Sequence, residues 1–270
     1  WQVAHIYRRR AKPEEQAPQY SHIHFTSDLE EVLNDPLVKL VVVCTHADSH
    51  FEYAKKALEA GKNVLVEKPF TPTLEEAKTL FALANSKGLT VTPYQNRRFD
   101  SCFLTTKKVI ESGKLGELVE IESHFDNYRP LAETNPGGPQ NGEFYGLGVH
   151  TLDQIISLFG RPDHVSYDLR SLRNKANPDD TFEAQLFYGD MKAIVKTSHL
   201  VQIDYPKFIV HGHKGSFVKY GIDQQETSLK VNIMPGEPGF GADDSVGELV
   251  YVNEAGEMVR EAVPLESGDY

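Results

Sequence analysis

The chain has 270 residues, of which 40% are hydrophobic and 25% charged, and a formal net charge of -11 at pH 7. That balance is typical of soluble globular proteins; it leaves no basic excess to meet phosphates, which excludes a general nucleic-acid binder, and no apolar stretch reaches the ~20 residues of a membrane-spanning helix. Two isolated cysteines, Cys44 and Cys102, give neither a disulfide framework nor a metal-ligand spacing, which fits a reduced, cytoplasmic setting.

Trp1 opens the chain inside a strand, WQVAHIY, without an initiator Met and without a signal-peptide pattern. The chain stops at ESGDY with no closing helix, and the two ends together predict an internal fragment of a longer protein. SDLEEVLND reads as a short helix capped by Ser27 or Asp28 and stopped before Pro36. LVKLVVVCT is a nearly continuous β-branched run, the pattern of a parallel strand covered on both faces, with Cys44 as a small core residue. HFEYAKKALEA is helical, with Asp48 or Ser49 as its cap and Gly61 just past its end. NVLVEK is the next strand. TLEEAKTLFALANSK opens with Thr73 and Glu76 at capping-box spacing and carries Leu74, Ala77, Leu80, Phe81 and Ala84 on one face. Gly88 closes it, and LTVTPY is a further strand. Alternation of this kind predicts right-handed βαβ crossovers and a parallel sheet.

After Tyr94 the rhythm changes. A helix over 101–112 precedes the strand ELVEIESHF, a Gly/Pro/Asn-rich loop spans ETNPGGPQNG, and the helix HTLDQIISLF ends at Gly160. Short strands follow, with turns at Gly-Asp, Lys-Gly and Ala-Gly that predict antiparallel hairpins. The expected fold is an incomplete Rossmann-type parallel-sheet domain over 1–94. An α+β domain with a mainly antiparallel open sheet follows over 95–270.

Ligands bind parallel sheets in the crevice beyond the carboxyl ends of the strands. Three strand ends carry polar groups: Thr45-His46, Glu67-Lys68, and Gln95-Asn96-Arg97-Arg98. With VVVCTHADSH, EKP, YQNRRFDS and GLGVHTLDQ in that order, the whole chain resembles the Gfo/Idh/MocA oxidoreductases, and within them an enterobacterial branch. The resemblance implies an NAD- or NADP-binding Rossmann domain and a second domain that shapes the substrate site and a dimer interface. The implied reaction is hydride transfer at a CH–OH group of a sugar, polyol or cyclitol.

The same resemblance assigns roles. Glu67 contacts the nicotinamide ribose, and Lys68, before a Pro whose peptide bond is commonly cis, handles the proton of the reacting oxygen. His150 is the second acid–base candidate. The family pattern places an acid four residues before it, and here that position is Gly146. The relay is then shorter or uses another group, with Glu143 and Tyr145 nearby in sequence. Thr45 to His50 line the dinucleotide. Asn96 and Arg97 flank nicotinamide and substrate, and Tyr128, Arg129 and Asp153 belong to the substrate pocket. The strand ending IYRRR has no acid at its tip, so Arg8 points to NADP, with NAD as the alternative. The G-x-G-x-x-G turn is expected ahead of Trp1. A non-catalytic NADP-binding sensor and a redox-assisted hydrolase or lyase are competing readings; Gly146 favours the sensor, and Lys68 with His150 argues against it.

Overall fold

The computed structural model describes residues 2–131 and 137–270; Trp1, where the sequence predicts the start of a strand, and residues 133–136 of the predicted loop lie outside the described residues. The chain divides into two compact units, Trp1–Tyr94 and Gln95–Tyr270.

The first unit contains β1 (His5–Tyr7), β2 (His24–Thr26), α1 (Leu29–Asn34), β3 (Leu40–Val43), α2 (His50–Glu59), β4 (Asn63–Val66), α3 (Leu74–Lys87) and β5 (Val91–Pro93). β1 and β2 pair in parallel, and β3, β4 and β5 form a parallel three-stranded sheet in that order. Short polar side chains start α1 and α3. The Asp28 carboxylate accepts the Glu30 N–H at 2.9 Å, and Thr73 and Glu76 cap α3 reciprocally. Gly88, at φ +66°, ends α3 in the left-handed region that glycine enters without strain. Ala54, Ala57 and Leu58 of α2 and Leu80 and Ala84 of α3 pack with Val43, Val64, Val66 and Val91. Full burial of a side chain such as Leu58 or Leu80 stabilises by about 1.5–3 kcal/mol.

Two expectations fail here for one reason. β3 has only one covered face: Val43 is buried, while Val42, 53% exposed, and Cys44 lie on the other face and are not in the core. The apolar face of α3 is also narrower than its spacing suggests: Leu74 and Phe81 are exposed, although the Phe81 ring sits 5.3 Å from that of Phe70.

The second unit contains α4 (Ser101–Glu111), β6 (Leu118–His124), α5 (Val149–Phe159), β7 (His164–Arg170), β8 (Thr181–Tyr188), β9 (Met191–Ser198), β10 (Pro206–Gly212), β11 (Gly215–Tyr220), α6 (Gln225–Lys230), β12 (Val246–Val252) and β13 (Met258–Pro264). Its eight-stranded sheet has the order β13-β12-β11-β10-β6-β9-β8-β7. Every neighbouring pair is antiparallel except β6 with β9. The hairpins β8–β9, β10–β11 and β12–β13 turn at the Gly-Asp, Lys-Gly and Ala-Gly positions read from the sequence. Val109 of α4 and Ile155 of α5 share a core with Phe182, Leu186, Val195, Phe217 and Leu249 of the strands. The sequence does not announce α6, a single short turn beside a buried Asp223. No helix among the described residues is long and apolar enough to cross a membrane.

Candidate functional site

In the first unit the register pairs Val43 with Val66 and Val66 with Pro93, so the carboxyl ends of β3, β4 and β5 stand level, about 4.8 Å apart. The next residues extend the ladder by one step: Glu67 N–H donates to the Val43 carbonyl at 2.8 Å, and Tyr94 N–H to the Val66 carbonyl at 2.7 Å. That step fixes Glu67. Its Oε2 accepts the Lys68 N–H at 2.9 Å, and the Lys68–Pro69 peptide is cis. Lys68 is half-buried, and burial together with the Glu67 charge pushes the Tyr94 phenol up from its ordinary value.

Thr45 is exposed beyond β3, and its hydroxyl oxygen lies 2.8 Å from Ser49 Oγ. Ser49 Oγ also lies 2.8 Å from the His46 carbonyl, so its hydroxyl serves the turn and makes no side-chain cap on α2. His50 corrects its expected place along the dinucleotide. Its side chain is buried, with Nδ1 2.8 Å from the Pro69 carbonyl and Nε2 3.0 Å from the Thr45 carbonyl. Each contact is a hydrogen bond only where that nitrogen carries a proton: one in the neutral ring, both in the imidazolium. The ring therefore ties the turn after β3 to the turn after β4.

At the end of β1, Arg8 donates from Nη1 to Glu15 Oε1 at 3.2 Å and keeps 39% side-chain exposure. An acid does reach the strand tip, from the 3-10 turn Pro13–Gln16 and not from the strand itself. Arg9 and Arg10 are exposed beside it.

In the second unit Asn96 opens a 3-10 turn over Asn96–Phe99 and is half-buried. Arg97, expected against substrate, is 8% exposed and turned inward. Its guanidinium bonds Glu226, lies 3.4 Å from Asp100 Oδ2 and stacks 4.9 Å above the Phe125 ring. Burial alone would depress its charge, and Asp100, Tyr270 and Glu226 outweigh that and raise it. Asp153, expected in the substrate pocket, is gripped by Arg98 through Nε–Oδ2 and Nη2–Oδ1 bonds of 2.7 Å each. A fork of this geometry holds a carboxylate in place; it pins α5 to the 96–99 turn, with the Gln154 amide donating to the Arg97 carbonyl at 2.7 Å.

His150 is buried at the start of α5. The chain enters that helix through a π-helical turn, Phe144–Gly148, a form that recurs at functional sites. Asp179 holds the turn: its carbonyl accepts the Glu143 N–H at 2.9 Å and its Oδ2 the Phe144 N–H at 2.7 Å. Burial pushes the Asp179 carboxyl up against those donors. His199, just past β9, is buried with Nε2 3.5 Å from Glu143 Oε1. Burial, then Arg173 and Arg129, push it down to about 4, so it is neutral near pH 7. Tyr128, 49% exposed, bridges to Leu200, and the Arg129 N–H donates to the His199 carbonyl at 2.9 Å. The structure thus groups Thr45, Glu67 and Lys68 in one unit. In the other it sets Arg129 beside His199 and Glu143, a carboxylate–imidazole contact with no sequence signature.

The family description "Oxidoreductase family, NAD-binding Rossmann fold" matches residues 1–95, and "Oxidoreductase family, C-terminal alpha/beta domain" matches residues 107–270. The chain is 85% identical to the "Uncharacterized oxidoreductase YhhX" of Escherichia coli (strain K12) over 270 residues, all of this chain and 78% of that protein. It superposes on the crystal structure of "a probable oxidoreductase yhhX" with a TM-score of 0.96, covering 100% of this chain and 78% of the other. It is 34% identical over 275 residues to the scyllo-inositol 2-dehydrogenase (NADP(+)) IolW of Bacillus subtilis (strain 168), covering 100% of this chain and 76% of that protein. On these grounds the chain belongs to the Gfo/Idh/MocA oxidoreductase family, in a branch with YhhX.

Proposed function

We propose that the protein is an NADP-dependent dehydrogenase acting on a CH–OH group of a sugar, polyol or cyclitol. The observation that carries this reading is the level row of strand ends bearing Thr45, Glu67 and Lys68. The residues there suit a dinucleotide. Thr45 offers an exposed hydroxyl ahead of the α2 N-terminus, Glu67 accepts from ribose hydroxyls, and Arg8 supplies a fork for a 2'-phosphate. A nicotinamide dinucleotide held by these residues would supply the hydride acceptor or donor. The chain's own task is the proton. Lys68 is assigned to the reacting oxygen, where an ammonium stabilises developing alkoxide and an amine accepts its proton. His150 is the second acid–base group, with Asn96, Tyr128 and Arg129 as polar contacts for substrate. Arg97 and Asp153 leave that list, because both are spent on internal ion pairs.

Residues 1–94 then serve the dinucleotide, and 95–270 serve substrate and self-association. The exposed Val165, Tyr167 and Leu169 of edge strand β7 support a homo-oligomer, a dimer or larger. The exposed free thiol of Cys44 supports a reducing, cytoplasmic setting.

The direct test follows NADPH formation across a panel of cyclitols, polyols and sugars. Turnover of at least one supports the reading; tight cofactor binding with no turnover across the panel overturns it in favour of a sensor. The relative IolW, named for NADP(+), adds to the case that Arg8 carries for the cofactor. Arg8→Asp is therefore expected to weaken NADP binding by about tenfold or more, the loss of one charge-assisted pair. NAD binding should change little. Calorimetric titration checks both, and tighter binding of NAD than NADP by the unsubstituted protein would count against the assignment.

A further inference from the structure

Gly146 lies about one turn before His150 on the same helical run. Its φ is not positive, unlike twelve other glycines of the chain, so backbone freedom does not account for it. Space does. A Cβ built at residue 146 would lie 3.1 Å from Glu143 Oε2 and 3.9 Å from its Cδ, and Glu143 supplies the only described side chain within 4 Å. The glycine leaves room, and a carboxylate from one turn earlier fills it.

The backbone that carries this carboxylate is held on both sides of it. Its backbone is fixed by the Glu143 N–H bond to the Asp179 carbonyl at 2.9 Å and by the Gly146 N–H bond to the Gly142 carbonyl at 2.9 Å. Oε1 lies 3.5 Å from Nε2 of buried His199. The other charged groups around this imidazole are Arg173, Arg129, Asp180 and Asp126. The two arginines disfavour a further cation at His199. A carboxylate over the residue that precedes His150 by a turn is the arrangement that results.

We propose that Glu143 is the positioning carboxylate for His150, placed over Gly146 and beside buried His199. The activity part of the test rests on the dehydrogenase reading; the titration part does not. His150 is followed by imidazole NMR in the protein without substrate, across pH. Glu143→Gln keeps the shape and removes the charge, so the His150 midpoint is expected to move to lower pH by about one unit. With a turned-over substrate, kcat should fall by about 10²-fold and the pH–rate profile should move with the NMR midpoint. Glu143→Gln/Gly146→Asp should recover at least tenfold of that loss, because the carboxylate returns to the same space from the other residue.

Gly146→Ala is an independent variant. Alanine suits a helical φ, so stability should hold or rise, while its Cβ, 3.1 Å from Glu143 Oε2, pushes the carboxylate by a few tenths of an ångström and should shift the His150 midpoint and slow turnover. An unmoved His150 midpoint in both Glu143→Gln and Gly146→Ala overturns the proposal, and so does a double variant no faster than Glu143→Gln. If the unsubstituted protein turns over nothing on the panel, the dehydrogenase reading fails alone and the NMR midpoints still decide the role of Glu143.

Discussion

Lys68→Met is expected to lower turnover by ~10²–10⁴, the range for a positioned acid–base group, with little change in NADP affinity. The turn that presents Lys68 is built from backbone atoms the substitution leaves alone. Glu67 N–H still reaches the Val43 carbonyl, the residue 68 N–H still reaches Glu67 Oε2, and the Pro69 carbonyl still meets His50. Methionine retains much of the aliphatic stem of a half-buried side chain, so lost packing is a poor rival explanation. What disappears is the charge and the proton. Steady-state kinetics on a substrate found in the panel, with calorimetry on the same preparation, separates the two effects. Full turnover by Lys68→Met would remove the proton role and make the non-catalytic binding protein the better reading. An equal loss of NADP affinity would instead show that the turn had moved.

The parts of this protein that local chemistry dictates are legible in its sequence. Thr73 with Glu76 and Gly88 bracket α3 because side-chain oxygens satisfy first-turn N–H groups and glycine tolerates positive φ. The hairpins of the antiparallel sheet fall at the glycine-containing turns for the same local reason. Burial of β3 is not legible, since a β-branched run looks alike with one face covered or with both. Site chemistry is half legible. Glu67 and Lys68 are adjacent residues in an unusual context and stand out. Arg97 and Asp153 are equally conspicuous polar residues, yet their partners, Glu226 and Arg98, lie 129 and 55 residues away and convert expected ligands into struts. For His50, no local pattern separates an imidazole facing a crevice from one clamped between two carbonyls. Glu143 lies three residues from Gly146, but the sequence does not show that its carboxylate folds over that glycine.

The strut with the largest expected effect on stability is Asp180, whose replacement by Ala should destabilise the second unit by ~3–5 kcal/mol, as when one partner of a buried ion pair is removed. The Asp180 and Arg173 side chains are 2% and 6% exposed. Oδ2 accepts the Arg173 N–H at 2.9 Å and Arg173 Nε at 3.1 Å; Oδ1 accepts the Leu172 N–H at 2.9 Å and the Thr181 hydroxyl at 3.2 Å. Alanine would strip all four donors of their acceptor and leave Arg173 buried without this carboxylate. A shift of the urea midpoint at unchanged m checks the size of the loss. Burial alone would push the Asp180 carboxyl up, but those donors outweigh it and hold it below its ordinary value. In acid, therefore, the unfolded chain takes up this proton first, and stability rises with pH through that window. The contribution is complete above the unfolded carboxylate's pKa of about 4 and is lost as pH falls through the lower folded value. The gap between the protein and Asp180→Ala should thus stay level between about pH 5 and 8 and narrow in stronger acid. A gap that persists unchanged in strong acid would mean that packing, not the paired charge, carries the stabilisation. Because Asp179, next in the chain, holds the Phe144 N–H, the same variant should also loosen the turn that presents Glu143, read as a shift of the His199 resonances.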